Sequence, residues 1–298
     1  MRPLKRSKLL NDAFSFNVHD LLMDHHGTYC SISEEPLPDH SIVINAMTGE
    51  EVKGKIRSKD WPELLLISAA TAQAIKGKDP KLLREMVLPH RHDSFSVDDD
   101  SPFIYELKMV AVSKLDDEGH SVDGPQPQAK VIVSATTPEA QATIDFFELN
   151  TKYYDAEKNH LEYKLSEYNA RHDHRVEHRT AAWMKATHAI ETYLKAKRMG
   201  MDLKHLIPFL RNFVDTTGYW SCWATVIWKL TNSSALLKQI MKQPASSPAS
   251  KRRAKLDKNA LLDSASKKRL KLKHEFIGSG PHHIFPGTKD TWLPKKNI

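Results

Sequence analysis

Residues 138–199 contain no glycine and no proline after Pro138, and this gap constrains the fold more than any other feature. Lacking both the residue that tolerates positive φ and the one that breaks helices, so long a stretch favours helix. Apolar side chains recur through it at three- and four-residue steps. Ile144, Phe147, Tyr154, Leu161, Leu165 and Tyr168 come first, then Trp183, Ile190 and Leu194. The spacing predicts one long amphipathic helix, or two with a break in the polar residues 171–179. Gly200 would stop it. Residues 203–214 make a further amphipathic piece despite Pro208, and an apolar, tryptophan-rich run follows Gly218.

Upstream the pattern differs. An apolar β-branched run at residues 41–47, the turn signal Thr48-Gly49, and a second alternating run through Val52 and Ile56 predict a hairpin. Asp60-Trp61-Pro62-Glu63 has the composition of a helix start, which predicts a helix over residues 64–76 ending at Gly77. A second short helix is expected from Asp79-Pro80 to Val87. Residues 103–112 and 130–134 have strand character. Between them, residues 116–127 are polar and rich in Gly and Pro, which predicts a long loop.

The expected fold class is therefore α+β. A partly ordered arm at 1–40 precedes an antiparallel β region with two short helices at 41–136. A mainly helical region at 137–243 follows, and then a disordered basic tail at 244–298, introduced by the small, proline-containing residues 244–250.

Charge divides along the same line. Residues 245–298 hold 13 Lys or Arg against 4 Asp or Glu, a balance of +9, whereas the whole chain carries only +7. Residues 1–244 are thus slightly acidic, at −2. Within the tail, Lys251, Arg252, Arg253 and Lys255 form one cluster, and Lys267, Lys268, Arg269, Lys271 and Lys273 a second. Two basic clusters on a polar segment fit a nuclear localisation signal, and the same side chains would neutralise phosphates. The expected location is the nucleus, or the host nucleus if the protein is viral.

No motif for an enzyme stands up to its chemistry, and no cofactor is expected. His174, Glu177 and His178 spell His-x-x-Glu-His, a pattern that would place two imidazoles and a carboxylate on one helix face as a zinc site. Arg171, Arg175 and Arg179 flank it and would repel a cation, and no third ligand stands out; a solvated helix face accounts for the same residues. The three arginines are also the one stripe suited to reading a DNA groove. Cys30 and Cys222 lie far apart and suggest no disulfide framework. Trp220, Trp223 and Trp228 suggest either a partner-binding patch or the core of the helical region.

The function expected is that of a non-enzymatic structural or interaction protein of the nucleus. Its partners would be an import receptor and nucleic acid or nucleoprotein, held without sequence specificity. Self-association and contact with a membrane are compatible with the pattern. One alternative is a matrix-type or nucleocapsid-associated viral structural protein in the host nucleus. Another is a metal-dependent hydrolase using His174, Glu177 and His178.

Overall fold

The computed structural model of the chain describes residues 1–4, 17–37, 41–53, 56, 60–98, 100–151, 154–164 and 174–241. The fold is α+β, as the sequence suggests. In chain order its elements are α1 (Val18–His26), β1 (Ile42–Asn45), β2 (Leu64–Ile67), α2 (Ala69–Ile75), β3 (Phe103–Leu115), β4 (Ser121–Ala135) and α3 (Pro138–Phe147). The chain continues through β5 (Tyr154–Asp155), β6 (His160–Lys164), α4 (Arg175–Arg198), α5 (Leu206–Thr217), α6 (Trp220–Thr231) and α7 (Ser234–Met241). The expected disordered tail lies outside the described residues.

Two sheets form. β1 and β2 pair antiparallel, and β4, β3, β6 and β5 lie side by side in that order. The predicted hairpin after β1 survives in short form, through a bridge between Ile44 and Glu51, but the regular partner of β1 is β2. This corrects the helix expected over residues 64–76. Trp61–Glu63 closes only one tight helical turn, and the apolar run Leu64–Ile67 then extends with all four residues buried. Leu65 and Ile67 join the main core, while Leu64 and Leu66 join a second cluster with Trp61, Val18 and Leu22. An unbroken apolar run suits a strand covered on both faces, and that burial overrides the capping signal. The helix starts instead at Ala69, where the Ser68 hydroxyl accepts the Thr71 amide at 3.2 Å.

The largest correction concerns residues 148–164. The glycine-free stretch is not one helix: α3 ends at Phe147, and residues at positive φ follow, Glu148 at 50°, Thr151 at 70° and Asn159 at 48°. Tyr154 and Leu161, placed on a helical stripe by their spacing, sit on β5 and β6, where Leu161 pairs with Val112 of β3. Tyrosine and leucine fill a half-buried strand as readily as a helix face, so spacing alone could not separate them. Leu165 and Tyr168 lie outside the described residues.

The loop expected at residues 116–127 is also mostly strand. β3 and β4 pair continuously from Phe103↔Ala135 to Val112↔Gln126, and again at Leu115↔Ser121, so the turn is confined to residues 116–120. Gly119, at φ 87°, allows it to be that tight. Of the partly ordered arm expected at 1–40, Met1, Tyr29, Cys30 and Ile32 are buried in the main core.

Candidate interaction surfaces

α4 decides what the sequence motifs become. Arg175 and Arg179 are 2% and 3% exposed, so two of the three arginines suited to a DNA groove are not on the surface, and Arg171 lies outside the described residues. The Arg175 guanidinium donates to the carbonyls of Phe147 at 2.9 Å and Glu148 at 3.0 Å, closing the C-terminal end of α3. Lys78 meets the same end through the Phe146 carbonyl at 2.7 Å and the Glu148 carboxylate at 3.0 Å. Cations there satisfy carbonyls left over by the last helical turn and complement its dipole.

Arg179 reaches further. It donates to the Val131 carbonyl, the Leu149 carbonyl and the Asn150 side-chain oxygen, each at 3.0 Å. The Val131 and Val133 amides donate to the Thr180 hydroxyl and the Asn150 side chain, at 2.9 Å each. These side chains thereby replace a missing neighbour strand along the inner half of the β4 edge.

The His-x-x-Glu-His residues sit at the start of α4. Glu177 is turned toward the sheet, where one carboxylate oxygen accepts from Lys130 at 3.3 Å and from the Tyr163 hydroxyl. The His174 and His178 rings lie 5.8 Å apart, and His178 is exposed. Among the described residues the one grouping of three donor atoms is Asp116, Glu118 and His120, within 4.8 Å of one another on the exposed β3–β4 turn. Asp116 there accepts the Glu118 and His120 amides, and its carboxyl stands below the usual range chiefly through the His120 amide. The turn itself thus accounts for this carboxylate.

The expected partner patch at Trp220, Trp223 and Trp228 is corrected for its first two members. Trp220 and Trp223 are 1% and 0% exposed, and Phe95 meets the Trp220 ring edge-on at 5.5 Å. Trp228 is half-buried against the same core. Their aromatic area is used in folding. Burial pushes the Cys222 thiol between them up, which favours its protonated form at neutral pH.

One polar cluster had no signal in the sequence. Glu34, buried and at φ 64°, accepts from the Ser221 amide at 2.7 Å and hydroxyl at 2.6 Å, so it caps α6 from 187 residues away. The Met1 ammonium lies 3.6 Å from Glu34 and donates to the Tyr105 hydroxyl at 2.5 Å; burial holds its pKa down to about 6. The Tyr29 hydroxyl donates to Asp215 at the end of α5. Gly218 completes the latch: at φ 67°, a Cβ there would come within 2.8 Å of the Glu34 carbonyl. This cluster ties residues 29–36 to the α5–α6 junction.

Charge and exposed apolar side chains occur together on the β3–β4 hairpin and where α4 gives way to α5. The outer half of the β3–β4 hairpin is exposed and acidic. The last turn of α4 presents Lys195, Lys197 and Arg198 to solvent. The tail clusters at 251–255 and 267–273 lie outside the described residues. Comparison with protein-family models, curated proteins and solved structures gave no match to this chain.

Proposed function

We propose that this is a non-enzymatic interaction protein of the nucleus, with its basic C-terminal segment as the contact for an import receptor and for the phosphates of nucleic acid or nucleoprotein. The observation that carries this reading is the division of charge, +9 in residues 245–298 against −2 in all the rest. The commitment of Arg175 and Arg179 to backbone carbonyls supports it, because it takes two arginines of the body away from any phosphate in solution. Non-specific binding through Lys and Arg releases counterions, so affinity falls steeply with salt and little with base sequence.

Two measurements test this. A fluorescent fusion of the full chain accumulates in the nucleus, and deletion of residues 251–273 disperses it; unchanged nuclear retention overturns the import role. Titration of random RNA and DNA at several salt concentrations gives a steep log–log slope for the full chain. The same deletion removes most of that slope, by about 0.9 for each B-DNA phosphate that the tail no longer neutralises. Equal affinity of both forms would move phosphate binding into the body.

The alternative of a matrix-type or nucleocapsid-associated structural protein is favoured by one observation, an exposed acidic β3–β4 turn and an exposed basic end of α4 on the same chain.

A further inference from the structure

Among the described residues ten large apolar side chains are exposed, and five of them lie at two places. Leu107 and Met109 are two residues apart on β3, with Val122 farther out beside the turn; Met199, Met201 and Phe209 are where α4 gives way to α5. Met109 is 59% exposed and Met199 67%. Lone exposed apolar residues need no explanation, but grouped ones mark contact surfaces.

The hairpin group follows from sheet geometry. Phe103, Tyr105, Leu107, Met109 and Ala111 share one face of β3, because successive side chains alternate. Phe103 and Tyr105 are buried in the main core, but Leu107 and Met109 project past its edge. Across from them, Ala129 and Pro127 pair with Met109 and Ala111, extending an apolar strip on an uncovered face. The other face of this outer half is covered: Val110, Val112 and Ile132 cluster with Leu161 and Val176.

The two groups carry opposite charge. Residues 114–123 hold Asp116, Asp117, Glu118 and Asp123 against Lys114, a net −3. Residues 195–205 hold Lys195, Lys197, Arg198 and Lys204 against Asp202, a net +3. They cannot meet within one chain. α4 starts beside Val110 and Val112, is level with Val131 by Arg179 and Thr180, and then continues through Trp183 and Ile190 into the main core, away from the hairpin tip. α5 returns from that far end to the latch at Glu34.

We propose that the acidic hairpin of one copy docks on the basic, methionine-bearing α4–α5 end of a second copy, joining this chain head to tail. Pairing hairpin with hairpin would set acidic tips together, and pairing the α4–α5 ends would set basic ones together. Only the unlike ends complement each other in both charge and apolar surface. Such an interface uses two different patches, so it leaves one of each unfilled and propagates into rings or open arrays. The docking does not depend on the tail.

The test uses nuclease-treated full-length protein and sedimentation velocity over a concentration series. The wild type associates at low salt, about tenfold or more weaker once screening rises to about 0.5 M. D117K/E118K/D123K alone stays monomeric, as does K195E/K197E/R198E alone, because each then bears like charges at both ends. An equimolar mixture of the two variants associates again, since every tip then finds an opposite end. M199S/M201S, which leaves charge untouched, also weakens association, and deletion of residues 251–273 does not. Three results overturn the proposal: a monomeric wild type, a mixture of the charge-reversed pair that stays monomeric, or normal association of K195E/K197E/R198E. A monomeric wild type whose RNA affinity falls in K195E/K197E/R198E would instead assign the basic end to nucleic acid.

Discussion

The inner and outer halves of β4 are one strand with one edge, yet they are finished in different ways. Along the inner half the outward backbone groups of Val131 and Val133 are taken by Arg179, Thr180 and Asn150. By the same alternation Pro127 turns its ring nitrogen outward in the outer half, opposite Ala111, where it has no hydrogen to donate. Pro125 adds a second such ring nearby. The inner edge is closed by satisfying its donors and acceptors, the outer edge by removing a donor. A buried edge must be satisfied because an unpaired group there has no water to fall back on. An exposed edge has water, and what it must avoid is recruiting another strand. The hairpin can therefore stay uncovered on one face without becoming a template for sheet growth.

This contrast can be broken at its closed side first. Arg179→Met strips hydrogen bonds from the Val131 and Leu149 carbonyls and from Asn150 at once, with an expected loss of about 3–5 kcal/mol in denaturant unfolding. A loss below about 1 kcal/mol would mean that the inner edge closes without it. Glu34→Ala comes next. It uncaps α6 at the Ser221 amide and hydroxyl, and about 2–3 kcal/mol is expected to go, because the bonds are charge-assisted and buried. Ser221→Ala in the same background should then cost little further, if the two act as one unit.

A smaller effect is expected at Glu63, on the rim of the body. His90 first, and then Arg91, hold its carboxyl down from 4.5 to about 2. A depressed folded-state pKa contributes stability that is present above 4.5 and lost as pH falls toward 2. Solvent screening of this partly exposed pair trims the contribution to about 1–2 kcal/mol. Comparing Glu63→Gln with the parent between pH 7 and pH 2 checks it: the stability gap closes as the pH falls. A gap independent of pH would place the effect in packing. The smallest change is Pro127→Thr, which restores an outward amide on the exposed edge. Stability should move by less than about 0.5 kcal/mol, while aggregation on prolonged incubation rises. Unchanged solubility would show that the outer edge needs no guard.

The legible and illegible parts of this protein separate by how local their causes are. The strand character of residues 103–112 and 130–134, the helix ending at Gly200 and the aromatic run after Gly218 were all visible, since each rests on short-range pattern. β2 was not, because Asp60-Trp61-Pro62-Glu63 is a sound capping sequence and only burial on both faces makes Leu64–Ile67 extend. β5 and β6 were missed for a related reason: Tyr154 and Leu161 fit a helical stripe until β3 offers a partner edge. At the surfaces, Arg175 and Arg179 looked like ligands for a polyanion because four-residue spacing says nothing about which side of a helix meets the core. The Glu34–Ser221 cap had no local sign at all.

By itself, then, the sequence determined the α+β class and the division of charge between a basic C-terminal segment and a slightly acidic remainder. These are properties of composition and of near neighbours along the chain. Tertiary structure alone decided which charges stay in water. It commits Arg175 and Arg179 to buried carbonyls and leaves Lys195, Lys197 and Arg198 exposed at the end of the same helix. A guanidinium is buried where unpaired carbonyls converge on it, and that convergence comes from α3, β4 and α4 meeting in space.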